Sequence, residues 1–184
     1  REKNRFTCEV VHVGSSGGFT AVMLGECDIA GVHLIDEVSG EYNTPFLRRY
    51  WVADKAVLIR GYIREQGLMV LKGNLKKILG LNDFLRRDVR IVNRNLGSGT
   101  RTLLDILLGK LAAEKAVRPA ELTSQIKGYE FEVSSHNEVA EAVKHGRADV
   151  GFGIKPAAER YGLDFNTVIE EHFDFLLEEK RLSK

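Results

Sequence analysis

Cysteine is scarce in this chain: two of the 184 residues, Cys8 and Cys27, and they lack the close spacing of metal ligands. Two cysteines in a chain of this size favour free thiols in a reducing compartment, with a single disulfide between them as the alternative. A chain of this length buries roughly 70% of its unfolded surface, so it can fold without a metal or a disulfide. We therefore expect a cytoplasmic protein with no metal centre.

Long apolar runs and an excess of one charge sign are also missing. No stretch approaches the ~20 apolar residues that cross a bilayer, and we expect no secretory leader. Lys and Arg number 27 against 26 Asp and Glu, which leaves a formal charge of +1. A broad nucleic-acid or membrane surface needs a clustered basic excess. We therefore expect no direct binding to either, whereas a small anion site built from neutral donors fits this composition.

Familiar catalytic and nucleotide-binding motifs are absent as well. The five histidines are scattered, without the spacing of a zinc protease. Ser98 does not fit the Gly-x-Ser-x-Gly elbow, because its neighbours read Leu96-Gly97-Ser98-Gly99-Thr100. The segment 93–101 lacks both the Lys-Ser/Thr ending of a P-loop and the third glycine of a dinucleotide fingerprint. We predict no catalytic residues, and a binding domain rather than an enzyme.

Segments typical of strands and of helices alternate along the chain, which predicts an α/β fold with mostly parallel sheets. The clearest helix lies at Thr102–Ala113, where leucines recur with helical spacing. The other predicted helices are Gly17–Leu24, Pro45–Tyr50, Asn137–His145 and Pro156–Tyr161, with one helical turn at Leu81–Leu85. The predicted strands are Glu9–Val13, Asp28–Ala30, Ala56–Ile63, Leu68–Leu71, Val89–Asn93, Glu130–Ser134, Asp149–Ile154, Phe165–Ile169 and Phe173–Leu177, with a turn or bend at Gln66-Gly67.

Two stretches of the chain share one pattern: a strand, a serine-bearing turn, a helix, and then Gly-x-(Cys/Ala)-Asp before the next strand. The first contains Ser15 and Asp28, and the second contains Ser135 and Asp149. Any two β-α-β units could resemble each other in this way. The alternative is a pair of similar lobes whose helix N-termini point into one cleft, where parallel α/β sheets bind ligands.

The segment Asn93–Arg101 follows an apolar strand and opens the clearest helix. Its glycines allow a close approach of the backbone to a ligand, and Ser98 and Thr100 can cap the helix or donate hydrogen bonds. Unpaired amides and the helix dipole make such a turn an oxyanion site, unless it is an ordinary capped helix start. Arg94 and Arg101 either contact the anion directly or pair with carboxylates such as Asp105.

The turn Gly14-Ser15-Ser16-Gly17-Gly18 repeats this arrangement, and His136 starts the helix of the second repeat, where it either lines the cleft or caps the helix. Two hydroxyl-rich helix starts could together hold a tetrahedral dianion through neutral hydrogen bonds. The candidate ligand-binding residues from these turns are Ser15, Ser16, Gly17, Ser98, Gly99, Thr100, Arg101 and His136.

Further motifs join these turns in resembling one family. They are Gly31–Asp36, Gly40–Asn43, Arg64–Leu68, Asn93–Arg101, Gly146–Asp149 and Gly162–Phe165. Together they resemble the periplasmic-binding-protein-like domain that accompanies molybdopterin biosynthesis proteins or follows the helix-turn-helix segments of molybdate regulators. The likeness covers nearly the whole chain.

The resemblance implies a type II clamshell related to molybdate and tungstate receptors and to LysR substrate-binding domains. Lobe I would be 1–71 plus 173–184, and lobe II would be 72–172. It implies an oxyanion held by Ser15 and Ser16 with Ser98–Thr100, and it adds the turn of His136 and Asn137. The tyrosine donor of those receptors is missing at 151–154. Such domains also open with a β-α unit that this chain starts too late to contain, so we expect either a truncated sequence or an incomplete site.

Three functions follow from the resemblance. The first is a module that binds molybdate or tungstate, for sensing or for supply to molybdenum-cofactor biosynthesis. The second is the effector-binding domain of a transcription regulator whose DNA-binding segment is separate. The third is part of an enzyme that inserts metal into molybdopterin. The implied ligand is a small anion, no covalent cofactor is expected, and the partner would be a fused or separate biosynthetic enzyme or a DNA-binding domain.

Overall fold

The structure is a computed structural model that describes residues 7–182. Helices and strands alternate, and the predicted α/β class is confirmed. The helices are α1 (Gly14–Leu24), α2 (Thr44–Arg49), α3 (Gly99–Glu114), α4 (Pro119–Ser124), α5 (His136–Lys144) and α6 (Lys155–Tyr161), with 3-10 turns at Leu81–Leu85 and Glu179–Arg181. The strands are β1 (Ala30–Val32), β2 (Ala56–Val70), β3 (Ile91–Arg94), β4 (Glu132–Val133), β5 (Val150–Ile154) and β6 (Asp164–Glu178).

Two long strands, β2 and β6, form the spine of the six-stranded sheet, whose strand order is β1-β6-β2-β5-β3-β4. Each was predicted as two shorter strands, with a turn or bend at Gln66-Gly67 in the first. Instead the pairing of β2 with β6 continues through a register shift between Gln66 and Gly67. A Cβ on Gly67 would lie 2.1 Å from the carbonyl oxygen of Asn166. This glycine therefore allows the two backbones to approach closely and does not mark a turn.

The directions of the strands differ from the prediction of mostly parallel sheets. Strands β1 and β6, β6 and β2, and β2 and β5 pair antiparallel, whereas β3 is parallel to both β5 and β4. Helices α3 and α5 connect the parallel strands, as in any β-α-β unit. The sheet is mixed because β2 and β6 run antiparallel to each other and to their neighbours.

Three hydrophobic clusters form the core of the described part of the chain. Next to β1, Phe19 and Val22 of α1 pack against Val32 and Leu176. The other two clusters lie on opposite faces of the β2-β5-β3 region, and alternate residues of a strand divide between them. Leu68 and Ile91 pack beneath α3, while their chain neighbours Met69 and Val92 pack beneath α5 and α6.

The segment 9–13 was predicted as a buried strand, and this prediction is wrong. It has no regular secondary structure and is exposed, with Val10 70% accessible. Its apolar residues raised its strand propensity, but within 7–182 no strand pairs with it. Helix α1 begins directly after it at Gly14, whose positive φ of 70° suits glycine. Within the same described range, no helix is long and apolar enough to cross a membrane.

Candidate functional site

The two serine-bearing turns lie side by side in the fold. The Ser16 amide donates a hydrogen bond to the Gly97 carbonyl over 3.3 Å. A Cβ on Gly14 would lie only 3.1 Å from the same carbonyl oxygen. Helices α1 and α3 therefore begin next to each other, although more than 80 residues separate them in the chain.

The serine groups of these turns are engaged by the protein itself. The Ser15 hydroxyl accepts the His33 amide over 3.1 Å, and the Ser98 hydroxyl caps α3 by accepting the Arg101 amide over 3.1 Å. Both serines are 1% exposed. The Ser16 amide, expected to face an oxyanion, donates to Gly97 instead. These groups hold the two turns in place.

Arg101 is also used structurally. Its Nε atom donates to Asp105 over 2.9 Å, and its Nη1 atom donates to Glu132 over 2.5 Å. The guanidinium lies 4.5 Å from the centre of the Tyr129 ring. Of the two alternatives for this arginine, pairing with Asp105 is the one that the structure shows.

The other predicted residues occupy different surroundings. Gly17 faces Val13, whose Cβ would lie 2.8 Å from a Cβ added at the glycine. Gly99 packs against His33, where an added Cβ would lie 2.5 Å from Nδ1. Asn137 lies half-buried in the first turn of α5. Thr100 and His136 each have a buried polar atom with no partner in the described part of the chain.

These last two residues belong to a group of largely buried polar residues that we call the polar cluster. Five strands and helices supply it: β2, β3, β6 and the first turns of α3 and α5, together with the segment after β1. Its members are His33, Tyr42, Arg64, Gln66, Arg94, Thr100, His136 and Glu171.

Glu171 is the anchor of the polar cluster. It is fully buried, and it accepts hydrogen bonds from Arg64 Nε, from Gln66 Nε2 and, over 3.0 Å, from His33 Nδ1. Burial alone would raise the pKa of Glu171, but these partners outweigh it and lower the pKa, so the carboxylate is ionised. Burial lowers the pKa of His33 against the effect of Glu171. His33 is thus neutral near pH 7, with its proton on the Nδ1 that faces the carboxylate.

Arg94 is a buried cation without a paired carboxylate. It is 8% exposed, and its Nη2 atom donates to the Ser134 carbonyl over 2.9 Å. In the described part of the chain no carboxylate forms a salt bridge with it. Burial, together with the charge of Arg64, lowers the pKa of Arg94 to about 10. The guanidinium is still protonated at neutral pH. The charge of Glu138 acts on it favourably but forms no salt bridge with it in the described residues, so a buried and only partly compensated positive charge remains at the end of β3.

His136 begins α5 beside these arginines. Its Nδ1 atom is buried and would lie 3.1 Å from a Cβ added at Gly153. Burial, followed by the charges of Arg94 and Arg64, lowers the pKa of His136 well below its usual value. The imidazole is therefore neutral. With Arg64 and Arg94 charged and Glu171 ionised, the polar cluster carries a net charge of +1.

Six atoms of the polar cluster are buried and have no hydrogen-bond partner within 7–182. They are Tyr42 OH, Arg64 Nη2, Gln66 Oε1, Arg94 Nε, Thr100 Oγ1 and His136 Nδ1. Burial, with a further contribution from Glu171, raises the pKa of Tyr42 to about 12, so its hydroxyl keeps its proton. Buried polar groups in folded proteins are nearly always hydrogen-bonded. So many unpaired atoms in one cluster indicate a ligand site.

Five members of this cluster were not predicted as site residues: His33, Tyr42, Arg64, Gln66 and Glu171. A usable signal was present for two of them. Arg64 and Gln66 are two residues apart in β2, and alternate residues of a strand share one face. Glu171 had no such signal, because its partners come from other segments. Among the described residues, no group of three or more His, Cys, Asp or Glu could hold a metal ion.

A mixed sheet whose helices begin around a polar cluster is typical of a ligand-binding domain. Solved structures with the same fold bind small ligands. The chain belongs to the family described as PBP superfamily domain, which matches residues 1–184. The predicted periplasmic-binding-protein-like fold is thereby confirmed. The protein named YvgK from Bacillus subtilis (strain 168), which is uncharacterized, is 39% identical over 167 residues. The match covers 91% of this chain but 52% of YvgK, so the chain spans about half of that relative.

Solved structures with this fold bind different small molecules. The ancestral amino acid-binding protein AncCDT-1 superposes with a TM-score of 0.59 at 20% identity, over 95% of this chain and 66% of that one. A substrate-binding protein from Clostridium perfringens with bound phosphate superposes with a TM-score of 0.55 at 12% identity, over 91% and 73%. At such identities the likeness shows the fold.

Proposed function

We propose that the polar cluster binds a small oxyanion and that the protein acts as a ligand-binding domain. The observation that carries this proposal is the set of six buried, unpaired polar atoms around Arg94. Removing a charge from water is costly unless a counter-charge and hydrogen bonds replace the solvent. An anion beside Arg94 supplies both.

The donors in the cluster suit oxygen atoms of an anionic group. Arg64 Nη2 and Arg94 Nε are guanidinium donors, which pair well with carboxylate and phosphate oxygens. Helices α3 and α5 begin at the cluster, and their N-terminal dipoles favour negative charge there. The Tyr42 hydroxyl adds a neutral donor.

The finer proposal is that the anion is molybdate or tungstate, bound for sensing or for supply to molybdenum-cofactor biosynthesis in the cytoplasm. The sequence motifs shared with the molybdopterin-associated domain support it. An effector-binding role in a transcription regulator would use the same site and the same ligands. A role in a metal-insertion enzyme would draw its acid and base groups from His33, His136 and Glu171, of which His33 and Glu171 are already hydrogen-bonded to each other.

We further propose that the cluster is assembled between two lobes, 1–71 plus 173–184 and 72–172, which close on the ligand. Tyr42 and Arg64 come from the first of these, and Arg94 and His136 from the second. A ligand that contacts both sets would hold the lobes together. Small-angle scattering with and without anion would then show a smaller radius of gyration for the bound protein.

Isothermal titration calorimetry with molybdate, tungstate, sulfate, phosphate and acetate tests the proposal. We expect at least one of these anions to bind, and Arg94→Met to weaken that binding strongly. Arg147→Met is the matched control, because Arg147 is exposed and follows the C-terminal end of α5, whereas the cluster lies at the first turn of that helix. If the folded protein binds none of these anions, or if both variants weaken binding equally, the proposal is wrong.

A further inference from the structure

Gln66 differs from the other unpaired groups because its orientation in the polar cluster is fixed. The residue is fully buried on β2, and its Nε2 atom donates to the Glu171 carboxylate. The reverse orientation would place the amide oxygen against a carboxylate oxygen, which is repulsive. Gln66 Oε1 must therefore be the atom that points away from Glu171, and within residues 7–182 it has no partner.

This oxygen is an obligate acceptor among groups that donate. Arg64 Nη2 and Arg94 Nε can only donate, and the Tyr42 hydroxyl keeps its proton. Thr100 Oγ1 and His136 Nδ1 can serve in either role. The cluster therefore presents several donors for anionic oxygens and, at Gln66, one acceptor that needs a hydrogen-bond donor on the ligand. Outside the cluster, Asn95 Oδ1 is another buried acceptor with no partner in the described part of the chain.

Oxyanions differ in whether they can meet that need. Sulfate, molybdate and tungstate carry no proton near pH 7, so all their oxygens are acceptors. Such an ion would leave Gln66 Oε1 buried without a hydrogen bond. The oxygen would lose its bond to water and gain none from the ligand, which weakens binding. Phosphate keeps at least one hydroxyl at this pH, and a 2-hydroxycarboxylate carries a hydroxyl beside its anionic group. Either ligand can donate to Gln66 while its other oxygens accept from the arginines.

We propose that Gln66 makes the site selective for oxyanions that carry their own hydrogen-bond donor, over oxyanions that carry none. This inference rests on the proposed oxyanion site, since it concerns the same cluster. It disfavours molybdate and tungstate, the ligands proposed above from the sequence motifs, so the two ligand proposals are alternatives that calorimetry separates. It predicts a preference within matched ligand pairs of similar size and shape. Phosphate against sulfate is the inorganic pair, and lactate against propionate is the organic pair.

Calorimetry on the unmodified protein at pH 7 and constant ionic strength gives the dissociation constant of each of the four anions. In the pair that fits the site, we expect the anion with a hydroxyl to bind at least about tenfold more tightly than the anion without one. The reason is that the anion without a hydroxyl leaves one buried acceptor unpaired. The pair that shows the preference identifies an inorganic or an organic ligand. Equal or tighter binding of sulfate or propionate overturns the inference but leaves the oxyanion site standing. If none of the four anions binds, and molybdate and tungstate do not either, the proposed function itself is overturned.

A matched pair of variants assigns the preference to Gln66. Gln66→Met keeps the length of the side chain and removes the acceptor, while Gln125→Met makes the same change at an exposed position on the C-cap of α4. We expect the ratio of the two dissociation constants within the ligand pair to fall towards one in Gln66→Met and to stay unchanged in Gln125→Met. A folded Gln66→Met protein that keeps the full preference contradicts the inference. If circular dichroism shows that this variant is unfolded, the ligand pairs measured on the unmodified protein still decide the question.

Discussion

Arg94 and Arg101 lie at the two ends of the same turn, and both are buried, with 8% and 4% of their surface exposed. Arg101 pairs with Asp105 and Glu132 and stacks on Tyr129. Burial alone would lower its pKa, but Tyr129 and Asp105 outweigh burial and raise it. Arg94 pairs with no carboxylate in the described chain, and burial lowers its pKa. The same residue type, seven positions apart, is therefore part of the fold at one end and of the proposed ligand site at the other.

The difference shows how a buried charge can be interpreted. A buried cation that is already neutralised stabilises a particular arrangement of the chain, and its removal leaves its partners unpaired. A buried cation that is not neutralised lowers stability until an anion arrives. Variants at and around the two arginines should therefore separate into those that change folding and those that change binding.

Arg101→Met should have the largest effect, a loss of about 3 kcal/mol in the free energy of unfolding, because it leaves Asp105 and Glu132 without their buried partner. Both carboxylates are about one-third exposed, which keeps the loss at the lower end of the range for buried pairs. Urea denaturation followed by circular dichroism measures it, with Arg147→Met as the exposed control. A loss no larger than that of the control would mean that Arg101 does not hold the turn.

Arg94→Met should weaken ligand binding without lowering the stability of the fold. We expect the free energy of unfolding to stay the same or to rise, since an unpaired buried charge is removed. The affinity for the bound oxyanion should fall about 30-fold or more, as the loss of a charged hydrogen bond implies. Urea denaturation and calorimetry on the same sample test both parts. Destabilisation as large as that of Arg101→Met would contradict the contrast between the two residues.

The hydroxyls of Ser98 and Thr100, in the same turn, differ in the same way, and their removal should have smaller effects. Ser98→Ala removes the cap of α3 and should lower the free energy of unfolding by about 1 kcal/mol. Thr100→Val removes a hydroxyl that has no protein partner in 7–182, so stability should hold while oxyanion affinity falls about fivefold. Thermal denaturation and calorimetry on both variants distinguish the roles. Equal losses of stability would show that Thr100 is also structural.

At pH 7 the smallest effect on stability should come from the neutral histidines, and it should grow as the pH falls. His33 and His136 have lowered pKa values in the folded protein, whereas in the unfolded chain they titrate near 6.5. Below that pH the unfolded state binds more protons than the folded state, so stability should decrease as the pH falls from 7 to 5. Each histidine contributes less than about 1.4 kcal/mol per pH unit.

His136→Gln should flatten this dependence, and His145→Gln, at an exposed position, should not. Urea denaturation at pH 7, 6 and 5 gives the three slopes. Six carboxylates among the described residues also have lowered pKa values, namely Asp36, Glu65, Asp83, Asp88, Glu171 and Glu178, and they begin to lower stability near pH 5. Because the unmodified protein and both variants share these carboxylates, their contribution cancels when the slopes are compared. A slope that His136→Gln leaves unchanged would show that His136 does not resist protonation in the folded protein.

Much of the local structure could be predicted from the residues. The leucines of α3 recur every three or four positions, and this spacing depends only on the geometry of a helix. The glycines and hydroxyls before the helix starts predicted a site at the turns of Ser15 and Ser98, and the proposed site lies beside these turns. The identity of its unpaired donors and acceptors did not follow, because the serines turned out to be engaged within the protein.

The sequence by itself determined the α/β class, the position of the main helices and the family, since short-range periodicity and contiguous motifs encode all three. Only the tertiary structure decided that β2 and β6 are continuous antiparallel strands, because strand direction depends on partners far away in the chain. It also decided which polar residues are left unpaired. Gln66 becomes an acceptor only because Glu171, 105 residues later, holds its amide group. The hydrogen-bonding role of a buried residue depends on its neighbours in space, and a local sequence pattern does not identify these neighbours.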